Sequence, residues 1–347
     1  MEEFEVAAGE TNPELNQLVL KVHGKRDFLY CITTYRGYTI MEMYVQPKIR
    51  NAKVQSIACL NESGFIYEFS PQLSGRYDGE SYALWTRWTP EPRPCFNPGL
   101  LADLRGCYDF ISSSQGQLIS NGDPAPLEYV VMTSGMPGVF NLGGDLDLFK
   151  QLITAKDRAG ISRYGRACID VLHRNYTGHG LPITTIALVQ GECLGGGFES
   201  ALSNDVLVAE RSARFGFPEV MFNLFPGMGA YSFLDRKIGR KGAEDIITSG
   251  RLFSAQDMFD MGVIDAVVED GEGEAGVRHL IRDRARSRNG LAALAAVRRR
   301  VHAITFEELM DVLQIWVDAA LRLTPRDLKL MQRLVSRQNS LAAAQLH

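Results

Sequence analysis

Apolar positions along this chain follow three different rhythms. Up to about residue 66, short β-prone runs ("QLVLKV", "FLYCITTY", "TIMEMYV") alternate with Gly, Lys, Arg and Asp, as strands joined by turns do. This predicts an N-terminal β-rich extension over residues 1–66, either a small antiparallel sheet or an arm packed on the main body. From "SYALWTRW" onward the pattern becomes strand–helix–strand. "EYVVMTS", "ITTIALVQG" and "DVLVAE" read as buried strands, and "GGGFESALSN" opens a helix. Between them, the segment from "LDLFKQL" to "VLHRNY" carries helical spacing through Leu148, Leu152, Ile161, Ile169 and Leu172. Such alternation implies an α/β core with parallel pairing over residues 67–260. After about residue 254 helices dominate. Ser254 with Asp257 fits an N-terminal cap, Thr305 with Glu308 a capping box, and Thr324–Pro325 a cap followed by proline at the first helical position. This C-terminal helical region, 261–347, has broad apolar faces suited to completing the core, covering a pocket or joining subunits.

Composition changes this picture little. The chain has 347 residues, enough for a sizeable core, with 45% hydrophobic and 22% charged residues. A net charge of −4 gives no general argument for nucleic-acid or membrane binding. Two basic runs, "RDRARSR" and "RRR" (Arg298 to Arg300), read most simply as a solvated helix face, the alternative being a dock for an acidic or phosphorylated partner. The six cysteines form no C-x-x-C pair and no Cys/His cluster at zinc spacing, so no metal is expected. With no secretory segment, reduced thiols in a cytoplasmic protein are the natural expectation. No apolar run approaches the ~20 residues that span a bilayer. His173 and His179 precede a strand and read as structural.

The candidate chemistry lies in two glycine loops. "GECLGGG" lacks the spacing of a P-loop or a dinucleotide fingerprint, so nucleotide binding through it is disfavoured. Glycines at a strand end can instead turn backbone N–H groups at a helix start toward a cavity, where they meet a carbonyl oxygen that gains charge only during reaction. Such a hole needs two donors. "NLGGDLDLF" supplies a second strand–Gly–helix junction. Glu199 follows the first loop closely, and Glu219 stands among Phe215, Phe217, Val220 and Phe222. A glutamate there is either at a strand edge in water or in an apolar pocket. In a shared pocket, desolvation and mutual repulsion would push the two pKa values apart, making one an acid and the other a base. Asp145 reads as a helix cap.

These motifs resemble the signature of the crotonase (enoyl-CoA hydratase/isomerase) superfamily. The pattern G-x-x-x-G-G-G-x-E, then D, A-x-F-x-x-P-E and P-x-x-G falls on Gly191, Gly195, Gly196, Gly197, Glu199, Asp205, Phe215, Pro218, Glu219, Pro226 and Gly229. "VFNLGGDLDLF" is similar to the family's F-x-x-G-x-D loop and "FSAQDMFDMGVIDAVV" to its later G-h-h-D-x-V-V stretch, so the resemblance covers about residues 80 to 345. Within the superfamily, "FNLGGDLDLF", "FPEVMFNLFPGMGAYSF" and "IWVDAALRL" look most like bacterial diffusible-signal-factor synthases, which make cis-2-unsaturated fatty acid signals.

The resemblance implies an α/β crotonase fold of repeated ββα units, a homotrimer or hexamer, and no cofactor beyond the thioester carrier, acyl carrier protein or CoA. It assigns the N–H groups of Gly144 and Gly196 to an oxyanion hole. One of Glu199 and Glu219 would take a proton from Cα while the other protonates the leaving 3-hydroxyl. Trp316 would line the acyl pocket or simply fill the core. Presence of both glutamates favours hydration or dehydration. The leading expectation is dehydration of a 3-hydroxyacyl-carrier thioester to a cis-2-enoyl thioester, then hydrolysis to a free acid. The alternatives are an enoyl-CoA hydratase/isomerase of fatty acid metabolism, and a regulatory protein whose catalysis is vestigial. Residues 1–66 are then free to shield the pocket, support assembly or bind a regulator.

Overall fold

The computed structural model describes residues 17–19, 28–35, 38–45, 57–61, 64–120 and 123–344. The rest of the predicted N-terminal extension lies outside the described residues. Its strands Gln17–Val19, Phe28–Tyr35, Tyr38–Val45 and Ile57–Asn61 form an antiparallel meander that continues through Gly64–Ser70, Leu73–Asp78 and Ala83–Trp88. The strand Gly64–Ser70 carries the sheet across residues 66 and 67, so the meander is the outer half of one eleven-stranded sheet.

The pairing changes sense at Ala83–Trp88. The chain leaves this strand, runs through helix α1 (Pro98–Ser113), and returns as Tyr129–Ser134, which pairs with it in parallel. Thr184–Val189, Val206–Glu210 and Ala266–Val268 then add in parallel. These strands are apolar on consecutive residues because both faces are covered. Val130, Met132, Ala187 and Leu207 face the main core, whereas Val131, Ile186, Leu188 and Val208 form a second cluster with Val277 and Ile281.

Each of three parallel strands is followed by a short one that leaves the large sheet. Val139–Asn141, Glu192–Leu194 and Arg214–Gly216 pair in parallel, and Phe253–Ser254 closes this smaller sheet. Helices follow: α2 (Leu146–Thr154) and α3 (Arg158–Tyr176) after the first, α4 (Gly196–Leu202) after the second, and a 3-10 turn Pro218–Phe222 with α5 (Ala230–Ser249) after the third. The repeated ββα unit is therefore present, and it brings the glycine-bearing ends of the short strands side by side. The C-terminal region adds α6 (Ala255–Asp260), α7 (Gly273–Ala285), α8 (Arg288–Val301), α9 (Phe306–Ala320) and α10 (Pro325–Ala344). Among the described residues no helix is long and apolar enough to cross a membrane.

Local signals are obeyed in part. The helical segment after residue 145 is two helices, because Lys156 takes a left-handed φ of 54° and Asp157 caps a new start by accepting from the Gly160 N–H at 2.8 Å. Ser254 and Asp257 form a complete capping box. Thr305 caps α9, but Glu308 does not return the bond, since its carboxylate accepts from Ser232 Oγ and Arg236. Nor are all the basic residues of α8 solvated: Arg298 and Arg299 both reach Asp205, the latter at 2.6 Å. Among the structural histidines, His179 is buried edge-on against Tyr108, and burial pushes its pKa down to about 3.

Candidate active site

A cavity opens where the two glycine loops meet. Its lining includes Gly144, Gly196, Glu219, Trp316 and an apolar wall of Phe149, Leu172, Phe222 and Met331. The loops touch through backbone. Gly143 has φ 94°, and a Cβ there would lie 2.8 Å from the Gly196 nitrogen. No side chain fits at Gly143, which is why the sequence places glycine there. Gly196 is the first residue of α4, so its N–H has no intrahelical acceptor. Gly144 precedes Asp145, which caps α2 by accepting from the Leu148 N–H at 3.2 Å and is paired with Arg93 at 2.8 Å.

The same loop makes room for a carboxylate. Gly195 sits at φ 52°, and a Cβ on it would lie 2.5 Å from Glu219 Oε1. Glu219 is carried on the 3-10 turn opened by Pro218, beneath which Phe217 stacks on Phe198 at 4.9 Å. Its Oε2 is buried with no hydrogen-bond partner among the described residues. The choice left open by the sequence, strand edge or apolar pocket, is resolved as a pocket: Phe222, Leu224 and Pro226 line the same cavity.

Glu199 stands in the first turn of α4 and is 1% exposed. Its Oε1 accepts from the N–H groups of Met228, at 2.8 Å, and Ala230, at 3.1 Å. Met228 lines the cavity, so Glu199 lies beside the wall rather than on it. Burial raises the Glu199 pKa to about 7, held back by backbone N–H groups of Met228, Gly229 and Ala230. Burial also raises that of Glu219, to about 8, and the Glu199 charge adds to the rise. The carboxylates are thus close enough to feel each other, and burial together with mutual repulsion works against both being ionised at once.

Trp316 is 3% exposed, lies over the Gly227 backbone, and its ring stands 5.1 Å from Phe149. It is therefore a core and a cavity residue at once. Sequence reasoning missed several wall residues. Met331 comes from α10, and Tyr164 and Cys168 come from one face of α3. Apolar spacing on α3 marked the face, but nothing local marked what it faces.

Residues 121–320 match the family model described as enoyl-CoA hydratase/isomerase. Mouse mitochondrial methylglutaconyl-CoA hydratase is 33% identical over 150 residues, which are 43% of this chain and 46% of that protein. The human protein of the same name is 32% identical over 150 residues, 43% of this chain and 42% of its own. The chain thus spans somewhat under half the length of these curated relatives. Among solved structures, the Bacillus halodurans enoyl-CoA hydratase superposes with a TM-score of 0.63 at 20% identity, covering 76% of this chain and 99% of that one. Human mitochondrial delta3-delta2-enoyl-CoA isomerase gives 0.63 at 18%, covering 78% and 98%. The structural likeness establishes the crotonase fold alone, and the family match spans more than half of the sequence. This chain belongs to the enoyl-CoA hydratase/isomerase family.

Proposed function

We propose that the protein adds water to, or removes it from, an acyl thioester across Cα and Cβ. The observation that carries this reading is the pairing of two buried carboxylates, both of raised proton affinity, beside Gly144 and Gly196. In the hydration direction, the ionised Glu199 takes a proton from water as its oxygen bonds to Cβ. The protonated Glu219 gives its proton to Cα, and the negative charge passing through the thioester oxygen is held by the Gly144 and Gly196 N–H groups. Dehydration is the reverse, starting from the proton on Glu199. Both directions use the singly protonated pair, with the proton on Glu219 for hydration and on Glu199 for dehydration.

Fold alone would not support this, because the same scaffold serves different reactions. Support comes from the site: an apolar cavity wall, two glycines lining or bordering it at helix starts, and two buried carboxylates close enough to interact. A finer reading rests on the sequence stretches that resemble the diffusible-signal-factor synthases. There the substrate is a 3-hydroxyacyl group on acyl carrier protein, and the cis-2-enoyl product is then released by water as a free acid and a thiol.

Mass spectrometry of products from matched 3-hydroxyacyl-carrier and 2-enoyl-CoA substrates tests both. Interconversion of enoyl and 3-hydroxyacyl thioesters is the expected result, and its absence with every carrier would sink the proposal. Free cis-2-enoic acid would carry the finer reading; rapid hydration of a trans-2-enoyl-CoA with no free acid would replace it with an ordinary hydratase.

A further inference from the structure

The turn at residues 142–145 has four successive backbone N–H groups, and three of them are taken. Leu142 donates to Pro94 O at 2.8 Å, Gly143 to Asn141 Oδ1 at 2.8 Å, and Asp145 to Tyr164 Oη at 3.1 Å. Among the described residues the Gly144 N–H has no acceptor, and Gly144 lines the cavity. The two side-chain acceptors come from different elements. Asn141 is fully buried at the end of Val139–Asn141, and Tyr164 is 6% exposed on α3.

The peptide that carries the Gly144 N–H also carries the Gly143 carbonyl. A trans peptide points these in opposite directions, so holding one aims the other. The Gly143 oxygen accepts from the Phe96 N–H at 2.8 Å. Phe96 is in turn tied through its own carbonyl, which accepts from the Tyr164 hydroxyl. Tyr164 therefore fastens both strands of this bridge, Phe96 on one side and Asp145 on the other. Asn141 fixes the residue before. A peptide between two glycines has little intrinsic barrier to other backbone conformations, so these side chains supply the constraint the glycines lack.

We infer that Asn141 and Tyr164 are positioning residues that lock the Gly143–Gly144 peptide with its N–H aimed into the cavity. This rests on the reading of Gly144 as an oxyanion donor. Neither residue touches the reacting atoms in this assignment. They act through the peptide.

The test uses Tyr164→Phe, which keeps the ring packed 4.8 Å from Phe149 and removes only the hydroxyl. Asn141→Leu removes the acceptor, and Asn141→Ser restores a hydroxyl able to accept from the N–H two residues on. Two readouts are compared: turnover of a 2-enoyl-CoA, and the infrared carbonyl stretch of bound butanoyl-CoA labelled with carbon-13 at the thioester carbon. Tyr164→Phe and Asn141→Leu are expected to lower kcat by about 10- to 100-fold, part of the loss seen on deleting an oxyanion donor. KM should stay within about threefold, as for a lost transition-state interaction. The downshift of the carbonyl band on binding should largely vanish in both, and Asn141→Ser should recover part of it.

Unchanged kcat and an unchanged band shift in Tyr164→Phe would overturn the inference, whatever the folding of Asn141→Leu. A wild-type protein that binds the thioester and shows no band shift would instead overturn the oxyanion reading itself, and the positioning role with it.

Discussion

Glu199 sits at the start of a helix with three backbone amides directed at its carboxylate, whereas Glu219 sits in a single 3-10 turn with one carboxylate oxygen that has no partner among the described residues. Burial raises the proton affinity of both. Three amides offset part of this for Glu199, whereas only its own backbone N–H does so for Glu219, which also feels the charge of its neighbour. Two identical side chains are thereby held in different surroundings, and the difference is made by backbone geometry rather than by residue type.

The comparison breaks most sharply by substitution. Glu199→Gln or Glu219→Gln should each lower kcat/KM for thioester hydration by about 10²–10⁴-fold. The double variant should be little worse than the weaker single, since the two act as a unit. Activity left intact in both singles would mean that these two glutamates do not carry the reaction. The glycine that keeps the loops together comes next. Gly143→Ala would set a methyl group 2.8 Å from the Gly196 nitrogen and at a strained φ. We expect a fall in kcat on the order of 10²–10³-fold, as for loss of an oxyanion donor. Trp316→Ala should raise KM for longer acyl chains by roughly 10-fold with a smaller change in kcat, if its role is to pack the acyl chain.

Smaller effects sharpen the contrast between the two carboxylates. The pH profile of kcat/KM should be a bell, falling as the base is protonated below about 7 and as the acid ionises above about 8. In Glu199→Gln the titration of Glu219, followed by carbon-13 carboxyl shifts, should move down, because the charge that raises it is gone. The least effect is on stability. A carboxyl whose folded pKa is raised contributes stability that is complete below the unfolded value and lost as pH rises through the folded one. For Glu219 the window runs from the ordinary 4.5 to about 8. Glu219→Gln should therefore gain a few degrees in Tm over wild type at pH 9 relative to the same comparison at pH 4, by thermal melts.

Much of this was legible in the sequence, for a reason that can be stated. The parallel strands announced themselves because Val130, Val131, Ile186 and Leu188 are buried on both faces, leaving continuous apolar runs. The glycine loops and the two glutamates were visible as ordered motifs, and the structure sets Gly144, Gly196 and Glu219 on one cavity with Glu199 behind its wall. The partners that orient them were not visible. Tyr164 meets Phe96 across 68 residues, Arg299 meets Asp205 across 94, and Glu308 turns to Ser232 across 76. No local period encodes such pairs, since each depends on how two separately folded elements are laid together. The same holds for the break at Lys156, where a single left-handed residue interrupts a segment whose apolar spacing is otherwise helical. The capping box at Thr305 failed for a related cause: a stronger distant partner outbid the local one.

The last helix gives the cavity one of its walls. Met331 lines the cavity, and Gln338 donates to the Leu142 carbonyl at 3.2 Å, beside the turn that carries Gly144. The chemistry is built on the short strands and their loops, and α10 closes over it from outside. Changes at Met331 can therefore reshape what fits in the cavity from an element that carries neither carboxylate and neither glycine donor. On the proposed reading, α10 therefore bears both on what fits in the cavity, through Met331, and on the turn that carries Gly144, through Gln338.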